Sequence, residues 1–353
     1  MEEKYVGLDV HQSMTVGAVH DGGGRSVMET VVKTEANAVG DFLRGLSGRI
    51  HVTFEEGTHA AWLYEVIRPL VAEVIVCDPR RNKLIEDGNK GDKIDAHKLA
   101  ELLRGGHVKS VYHGASAMRT LKELVHNYDA LVDDTTRVMN RIKAVYRGRG
   151  ISSSGRDVYR KLNRESWLKR LPEGGLRQRT EFLYQELDTL SQIRQDAKRV
   201  MLIEARRHAP YRLVKTIPGL GPIRVAQILA AIGLPERFRT KRQLWTYCGF
   251  AVVTRSSADY ELVGGKVQRR KTRTVTRGLN WNFNRRMKEV FKAAAVTGMQ
   301  REPFQSHYAG LITKGMREEL ARVTLARKIV AITLKVWKKG EAFDAAKLKP
   351  ATT

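Results

Sequence analysis

Short runs in which apolar and polar residues alternate dominate the first hundred positions of the chain. The runs that predict strands are Tyr5–Val10, Thr15–Val19, Ser26–Lys33, Ile50–Phe54 and Glu73–Cys77. The stretches with helical spacing are Ala36–Leu46, His59–Leu70 and Lys93–Leu103. Three hairpin-like strands followed by alternating helix and strand predict an α/β domain with a mixed sheet over residues 1–110.

Two long helical patterns follow, on either side of a polar loop. Apolar residues recur at intervals of three and four from Ala115 to Val145, and again from Trp167 to Arg207. Residues 147–156 between them are rich in glycine, serine and arginine, a composition typical of a loop. The pattern predicts an antiparallel coiled-coil hairpin over residues 111–210, which serves as a linker, a spacer or a dimerisation element.

The last part of the chain is predicted to be mostly helical and contains a turn with a characteristic glycine spacing. The segment Ile217-Pro-Gly-Leu-Gly-Pro-Ile-Arg-Val-Ala226 predicts a helix, a turn and a second helix, an order that resembles the helix-hairpin-helix module. Gly219 and Gly221 permit close backbone approach, and N–H groups at the second helix start can hold a DNA phosphate. The alternative is a tight turn between two core helices. Further helical patterns cover Leu279–Phe291 and His307–Trp337, within a C-terminal domain predicted over residues 211–353.

The charge of the chain narrows the class of partner. With 63 Lys and Arg residues against 38 Asp and Glu, the formal net charge is +25 and the pI is about 10.2. Such an excess favours a polyanion, and nucleic acid is the first candidate. A membrane surface is the alternative, but no apolar run is long enough to span a bilayer. The chain does not open like a signal peptide and has no CxxC pair, so we expect a reduced cytosol and no zinc ribbon.

Basic residues are concentrated in a segment that contains no acid between positions 266 and 277. They are Lys266, Arg269, Arg270, Lys271, Arg273 and Arg277. A basic run is often only a solvated face. Because these residues alternate with valine, threonine and glycine, we predict a strand or loop that contacts a nucleic-acid backbone.

Four acids in the first hundred residues are expected to converge: Asp9 on the first strand, Glu55 at the end of a later strand, and Asp92 with Asp95 at a helix start. Acids three apart lie on one helix face. Carboxylates this close repel one another unless divalent cations lie between them, and two Mg²⁺ ions held by acids support phosphodiester chemistry. The order resembles that of RNase H-like nucleases. Glu56 is the alternative to Glu55, and an ordinary N-cap is the alternative role for Asp92.

Several of these motifs resemble one protein family. They are Tyr5-Val-Gly-Leu-Asp-Val-His11, Phe54-Glu-Glu-Gly57, Lys90-Gly-Asp-Lys-Ile-Asp-Ala-His97, Ile217–Gly221 and Tyr247-Cys-Gly-Phe250. The family is that of the DEDD transposases of the insertion sequence 110 family, and the Glu-Glu-Gly-Thr form is similar to its 1111 branch. The resemblance spans nearly the full chain.

The resemblance implies a RuvC-like (RNase H-like) domain whose four acids hold Mg²⁺, joined by a coiled coil to a C-terminal transposase domain. Members of the family are guided by a non-coding RNA made by their own element, which pairs with target and donor DNA. They act as dimers that assemble into tetramers, with composite sites built from two protomers. The expected location is the bacterial cytoplasm, in association with the nucleoid.

The resemblance also implies a serine nucleophile. It falls on Ser257, with Ser256 as the alternative, because Ala258 stands where the family usually has glycine. Arg255 and Lys266 are candidates for stabilising charge on the attacked phosphate. Without the resemblance, the two serines are typical of a polar turn.

The sequence therefore predicts an RNA-guided DNA recombinase that moves an insertion sequence through a 5′-phosphoserine intermediate. One alternative is a metal-dependent junction resolvase or nuclease that cuts with water. Another is a non-catalytic basic protein that binds nucleic acid and whose acids are caps and turn residues.

Overall fold

The computed structural model of the protein describes residues 2–79, 91–111, 118–256, 260–263, 266–269 and 275–348. The chain divides into two compact units, Met1–Ala115 and Ser116–Thr353. The predicted boundary after residue 110 lies close to the division between the units, whereas the predicted boundary after residue 210 falls inside the second unit. The division into three domains stays a prediction.

The first unit contains one five-stranded mixed sheet. Its strands are β1 (Glu3–Val10), β2 (Met14–Asp21), β3 (Ser26–Lys33), β4 (Arg49–Glu55) and β5 (Glu73–Cys77). Its helices are α1 (Ala36–Arg44), α2 (Ala60–Ile67) and α3 (Asp92–Arg104). The strand order is β3-β2-β1-β4-β5; β2 is antiparallel to both β1 and β3, and β4 is parallel to both β1 and β5. The predicted α/β unit with a mixed sheet is confirmed.

Side chains alternate along β1 and so point to two different layers of helices. Leu8 is buried in a core that also contains Leu43 of α1 and Leu63 of α2. Gly7 points the other way, towards α3. A Cβ at position 7 would lie 2.1 Å from the carbonyl oxygen of Ala96, so only glycine lets this helix rest on the strand.

The second unit is mostly helical, as predicted. Its helices are α4 (Arg119–Arg147), α5 (Arg164–Leu168), α6 (Gly175–Arg207), α7 (Pro210–Val214), α8 (Pro222–Ile232), α9 (Lys241–Tyr247), α10 (Arg285–Gly298), α11 (Phe304–Thr313) and α12 (Glu318–Lys339). Its strands form two antiparallel ribbons, β6 (Val252–Ser256) with β9 (Val275–Leu279) and β7 (Tyr260–Val263) with β8 (Lys266–Arg269). Within the described ranges, no helix combines the length and apolar character that crossing a membrane requires.

Helices α4 and α6 form the predicted antiparallel hairpin. At one end, the hydroxyls of Tyr146 and Tyr184 are 3.1 Å apart, in a core that includes Trp167. At the other end, Leu121 of α4 and Met201 of α6 are buried in a second core, together with side chains of α8, α10 and α12. The hairpin therefore shares a core with the C-terminal helices, which explains why both belong to one unit.

Two predicted helices differ in extent from the observed ones. The helix predicted from Leu279 begins only at Arg285, because residues 275–279 pair in β9 and Asn284 caps α10 by accepting a hydrogen bond from the Met287 amide at 3.0 Å. The helix predicted over residues 307–337 is interrupted between α11 and α12, where Gly315 has a φ of +79°. The apolar spacing runs through both breaks and does not reveal them.

Candidate functional site

Asp9 and Glu55 hold matching positions near the carboxyl ends of two parallel strands. β1 and β4 pair in register with Leu8 opposite Phe54, so the next residue on each strand is an acid. Residues in register on neighbouring strands point to the same face. For these two residues it is the face of Gly7, which α3 covers.

Helix α3 supplies two more acids, both in its first turn. Asp92 is the first helical residue and Gly91 holds the cap position, so the alternative that Asp92 is an N-cap is wrong. Asp95 follows three residues later, on the same side of the helix. The positive end of the helix dipole favours negative charge at both positions.

His11 connects the acids of the strand and the helix. Its Nε2 atom lies 3.1 Å from Asp9 Oδ2 and 3.5 Å from Asp92 Oδ1. One donor atom from each of these three side chains lies within 4.8 Å of the other two. Two carboxylate oxygens and one imidazole nitrogen are suitable ligands for a divalent cation.

The electrostatics of this trio also fit a cation. Burial raises the pKa of the Asp9 carboxyl, the neighbouring carboxylates of Asp92 and Asp95 raise it further, and His11 opposes the rise. Asp95 Oδ1 is buried and accepts no hydrogen bond from the described residues, and the Lys98 ammonium is 3.8 Å away. A bound divalent cation would offset the repulsion at Asp9.

The end of β4 distinguishes Glu55 from Glu56 as the candidate ligand. Glu55 is the last residue of β4 and is half-buried, whereas Glu56 lies beyond the strand and is exposed. The Glu56 amide donates a hydrogen bond to the Cys77 carbonyl at 2.9 Å. Register therefore favours Glu55 as the acid beside Asp9. Both Glu55 and Asp95 lie outside the trio, and their role as ligands stays a prediction.

A network of polar side chains fixes α3 against the sheet next to these acids. His20 Nε2 of β2 is 2.8 Å from His97 Nδ1, and His97 Nε2 is 2.7 Å from Glu29 Oε1 of β3. Lys93 Nζ also lies 3.0 Å from Glu29 Oε2. Burial lowers the pKa of His20, so the inner imidazole favours its neutral form. These contacts join the first two turns of α3 to two strands and so define where Asp92 and Asp95 lie.

The predicted serine region is described only in part. Ser257 lies outside the described residues, as does Ala258. Ser256 is the last residue of β6, in register with Val275 of β9, and Arg255 precedes it in the same strand. The choice between the two serines, and the role of Arg255 at the phosphate, stay predictions.

The predicted basic segment is largely strand where it is described. Lys266 and Arg269 are the two ends of β8, Arg277 lies within β9, and the Lys266 side chain is exposed. The remaining members, Arg270, Lys271 and Arg273, lie outside the described residues. Contact of this segment with a nucleic-acid backbone stays a prediction.

The turn between α7 and α8 has the predicted helix, turn, helix order. Gly219 has a φ of +86°, and a Cβ there would lie 2.4 Å from the Ala294 carbonyl oxygen of α10. Gly221 is the N-cap of α8, and a Cβ added there would have no atom within 4 Å. Close packing against α10 therefore accounts for glycine at position 219, whereas phosphate binding at Gly219 and Gly221 stays a prediction.

Sequence reasoning did not assign His11 to the metal site. It follows β1 directly, two residues after Asp9, and this spacing returns a side chain to the same side of an extended chain. The Asp-x-His pattern at a strand end is the signal that would have identified it.

Comparison with known proteins agrees with this picture. Residues 6–148 match a family model described as "Transposase", that of the DEDD transposases of IS110, which implies a RuvC-like fold for the first unit. Residues 211–309 match a second model, "Transposase IS116/IS110/IS902 family". The first match suggests use of a divalent metal, in keeping with the trio.

Two curated relatives are transposases. The chain is 29% identical over 145 residues to the "Mini-circle putative transposase for IS117" of Streptomyces coelicolor, which covers 38% of this chain and 35% of that protein. It is 24% identical over 191 residues to the "Transposase for insertion sequence element IS1111A" of Coxiella burnetii, covering 53% of this chain and 52% of that protein. The matched parts thus span between about a third and about half of these relatives.

The two family models together cover more than half of the chain, and they fall on both of its compact units. The chain belongs to the IS110 family of insertion-sequence transposases.

Proposed function

We propose that this protein is an RNA-guided DNA recombinase that cuts and rejoins DNA to move an insertion sequence. The observation that carries the proposal is the meeting of Asp9, His11 and Asp92, with donor atoms within 4.8 Å, in a member of a DEDD transposase family. A net charge of +25 supports a nucleic-acid substrate.

The metal site would consist of Asp9, Glu55, Asp92 and Asp95, with His11 beside them, and the ion would be Mg²⁺. A bound Mg²⁺ supplies charge neutralisation on a phosphodiester and lowers the pKa of an attacking or leaving oxygen. The protein's own part would be to place the four carboxylates at one edge of the sheet, where the His20–His97–Glu29 network holds α3.

The nucleophile would be the hydroxyl of Ser257, with Ser256 as the alternative. The serine Oγ forms a bond to phosphorus, and the bond between phosphorus and the 3′ oxygen of the neighbouring nucleotide breaks. The hydroxyl proton passes to a base and the 3′ oxygen takes up a proton, leaving a 5′-phosphoserine and a free 3′-hydroxyl. Arg255 and Lys266 would stabilise the charge on the attacked phosphate.

The partners follow from the same proposal. DNA of the donor and the target would be paired by a guide non-coding RNA, and the protein would act as a homodimer that assembles into a tetramer. Sequencing the nucleic acid that copurifies with the protein tests this part. A discrete RNA encoded beside the protein's own gene supports guidance, and random fragments alone argue against it.

A second candidate is a metal-dependent nuclease or junction resolvase in which the acids cut with water. It is favoured by one observation, that Asp9, His11 and Asp92 bring three potential metal ligands within 4.8 Å of one another. The two candidates differ in whether a covalent protein–DNA intermediate forms.

Trapping that intermediate is the decisive experiment. The substrate is a nicked DNA from which the cleaved strand dissociates, so that a covalent adduct accumulates. It is incubated with wild type, Ser257→Ala, Ser256→Ala and Asp9→Ala, and the adducts are resolved on a denaturing gel. We expect an adduct with wild type, and its loss with one serine variant and with Asp9→Ala. Cleavage by wild type without any adduct, unchanged in both serine variants, would establish the nuclease instead.

A further inference from the structure

Trp281 is a tryptophan on the short loop between β9 and α10, and its side chain is 90% exposed. Tryptophan is normally among the more buried residues, so exposure of a whole indole ring is unusual. Exposed apolar side chains continue onto the two ribbons of the same unit. They are Val252, Val253, Tyr260, Val263 and Val267.

The loop is anchored on the side that precedes the tryptophan. Asn280 is buried, and its amide donates to the Ala251 carbonyl at 3.0 Å, while its Oδ1 accepts from the Ala251 amide at 3.2 Å. Its Nδ2 donates to the carbonyls of Thr246 at 2.9 Å and Asn282 at 3.0 Å. The Asn280 side chain thus links Ala251, which precedes β6, and Asn282 of the loop to Thr246 near the end of α9.

The loop is anchored on the following side as well. Phe283 packs on Gly249, where a Cβ would lie 2.6 Å from the Phe283 ring. The Asn284 amide donates to the Tyr247 carbonyl at 2.8 Å, and its Nδ2 donates to the Tyr247 hydroxyl at 2.9 Å. The Tyr247-Cys-Gly-Phe motif therefore holds this loop in place, and Trp281 is the exposed ring of the loop.

The chain around this ring is strongly basic. Arg285 is exposed in the first turn of α10, directly after the loop, and Lys288 Nζ of the same helix lies 4.2 Å from the centre of the Phe283 ring. Cations that follow a backbone, combined with an aromatic ring that is free to stack, are the two components of single-strand recognition.

We propose that Trp281 is a stacking platform for an unpaired base of a nucleic-acid strand. Every base has an apolar face, so an indole ring stacks on it whatever the sequence. Because Asn280 and Asn284 already fix the loop, little conformational entropy is lost when the base binds. The shared chemistry is an unpaired base on a phosphodiester backbone, of DNA opened during strand exchange or of RNA.

The platform is separate from the proposed nucleophile. Ser256 pairs with Val275 at one end of the β6–β9 ribbon, and Val252 pairs with Leu279 at the other end, next to Trp281. Four residue steps of an antiparallel strand measure roughly 14 Å. The inference rests on the nucleic-acid binding in the proposed function, and not on the serine chemistry or the metal.

The test is a binding measurement with the full chain, in buffer without divalent cations so that no cleavage intervenes. The probes are a short single-stranded DNA of mixed sequence, the same strand as RNA, its blunt DNA duplex, and the DNA strand with abasic sites in place of bases. The variants are Trp281→Ala, Trp281→Phe and, as a matched control, Phe182→Ala, which removes an aromatic ring that is 59% exposed on α6.

We expect Trp281→Ala to weaken binding of the intact single strand about 5-fold to 150-fold, the range for loss of one stacked base. Binding of the abasic strand and of the duplex should change little, Trp281→Phe should retain most of the affinity, and Phe182→Ala should match wild type. Quenching of tryptophan fluorescence by the strand that is larger in wild type than in Trp281→Phe, which keeps the other four tryptophans, reports stacking at Trp281. The strand, DNA or RNA, that shows the larger loss identifies the source of the base.

Three results would overturn the inference. The first is that Trp281→Ala binds the intact strand as tightly as wild type does, and the second is that it loses affinity equally for intact and abasic strands. The third is a change of self-association in Trp281→Ala at constant affinity for every probe, which would show that a second copy of the chain covers the ring. A thermal melt of each variant confirms that all of them are folded.

Discussion

Asp9 is the residue at which the strand, the helix and the histidine meet. Its carboxylate is within ion-pair distance of His11 and close enough to Asp92 and Asp95 for their charges to raise its pKa, in addition to the effect of burial. A side chain in this position is under repulsion from its neighbours until a cation arrives. Its contribution to stability should therefore depend on metal.

Replacing Asp9 with Asn keeps the size of the side chain and removes one charge. Without divalent cations, we expect the melting temperature of Asp9→Asn to equal or exceed that of wild type, because repulsion from two carboxylates is relieved. Saturating Mg²⁺ should raise the melting temperature of wild type by an amount on the order of 5–10 °C and leave Asp9→Asn nearly unchanged. Differential scanning fluorimetry with and without EDTA measures both.

Glu56→Gln is the matched control, since Glu56 is exposed and lies beyond the end of β4. It should keep the Mg²⁺ response of wild type. An equal response to Mg²⁺ in wild type and Asp9→Asn would contradict a metal role for Asp9.

The sequence was sufficient to find Asp9 and Asp92, because a strand end and a helix start are visible as patterns. The contact of His11 with both acids could not be predicted in the same way. It depends on the distance between β1 and α3, which no local sequence pattern encodes. The exposed ring of Trp281 was missed for a similar reason. The sequence around Trp281 predicts a helix. In the structure, residues 280–284 form an anchored loop instead, because β9 pairs with β6 and Asn284 caps α10.

At the scale of elements, the position of α3 on β1 decides whether the acids meet. The helix approaches the strand until its backbone nearly touches Gly7: a Cβ there would be 2.1 Å from the Ala96 carbonyl oxygen and 2.5 Å from the Ala100 amide nitrogen. Both obstacles are backbone atoms of a helix, so neither can rotate away. The sequence predicted the helix and the strand, but not that one glycine joins them.

Gly7→Ala is therefore expected to push α3 off the sheet. Overpacking at a site that cannot relax should cost about 3 kcal/mol or more of the unfolding free energy. Urea denaturation followed by circular dichroism measures this, and the Mg²⁺ response should weaken together with stability, because Asp92 and Asp95 move with the helix.

Gly22→Ala provides the comparison, since an added Cβ there has no atom within 4 Å and the residue lies in the turn between β2 and β3. Its unfolding free energy should remain within about 0.5 kcal/mol of wild type. If Gly7→Ala were as stable as Gly22→Ala, the close approach of α3 would not be the constraint described.

At the scale of the whole molecule, the excess of 63 basic over 38 acidic residues should dominate the binding of nucleic acid. Six phosphate contacts, one for each cation of the basic segment, predict that affinity for duplex DNA falls about 1,000-fold or more between 50 and 200 mM salt. Fluorescence anisotropy at a series of salt concentrations gives the slope of log affinity against log salt.

Lys271→Gln should reduce the magnitude of that slope by about one and weaken binding alike for all DNA sequences. Lys33→Gln, an exposed cation of β3 in the first unit, is the control and should leave the slope unchanged. A slope that is shallow in wild type, or equally reduced by both changes, would show that the basic segment is not the phosphate-binding surface.

The acids at the edge of the first sheet come from distant parts of the chain, and this determines when they can assemble during synthesis. β1 pairs with β4, which ends at residue 55, and α3 is complete only at Arg104. Contacts of such long sequence separation form late, because the intervening chain has to close first. A chain emerging from the ribosome can pair β1 with β2 early, but the other edge of β1 stays open until β4 has been made. It becomes able to capture a cation only when the first unit is almost entirely outside the exit tunnel.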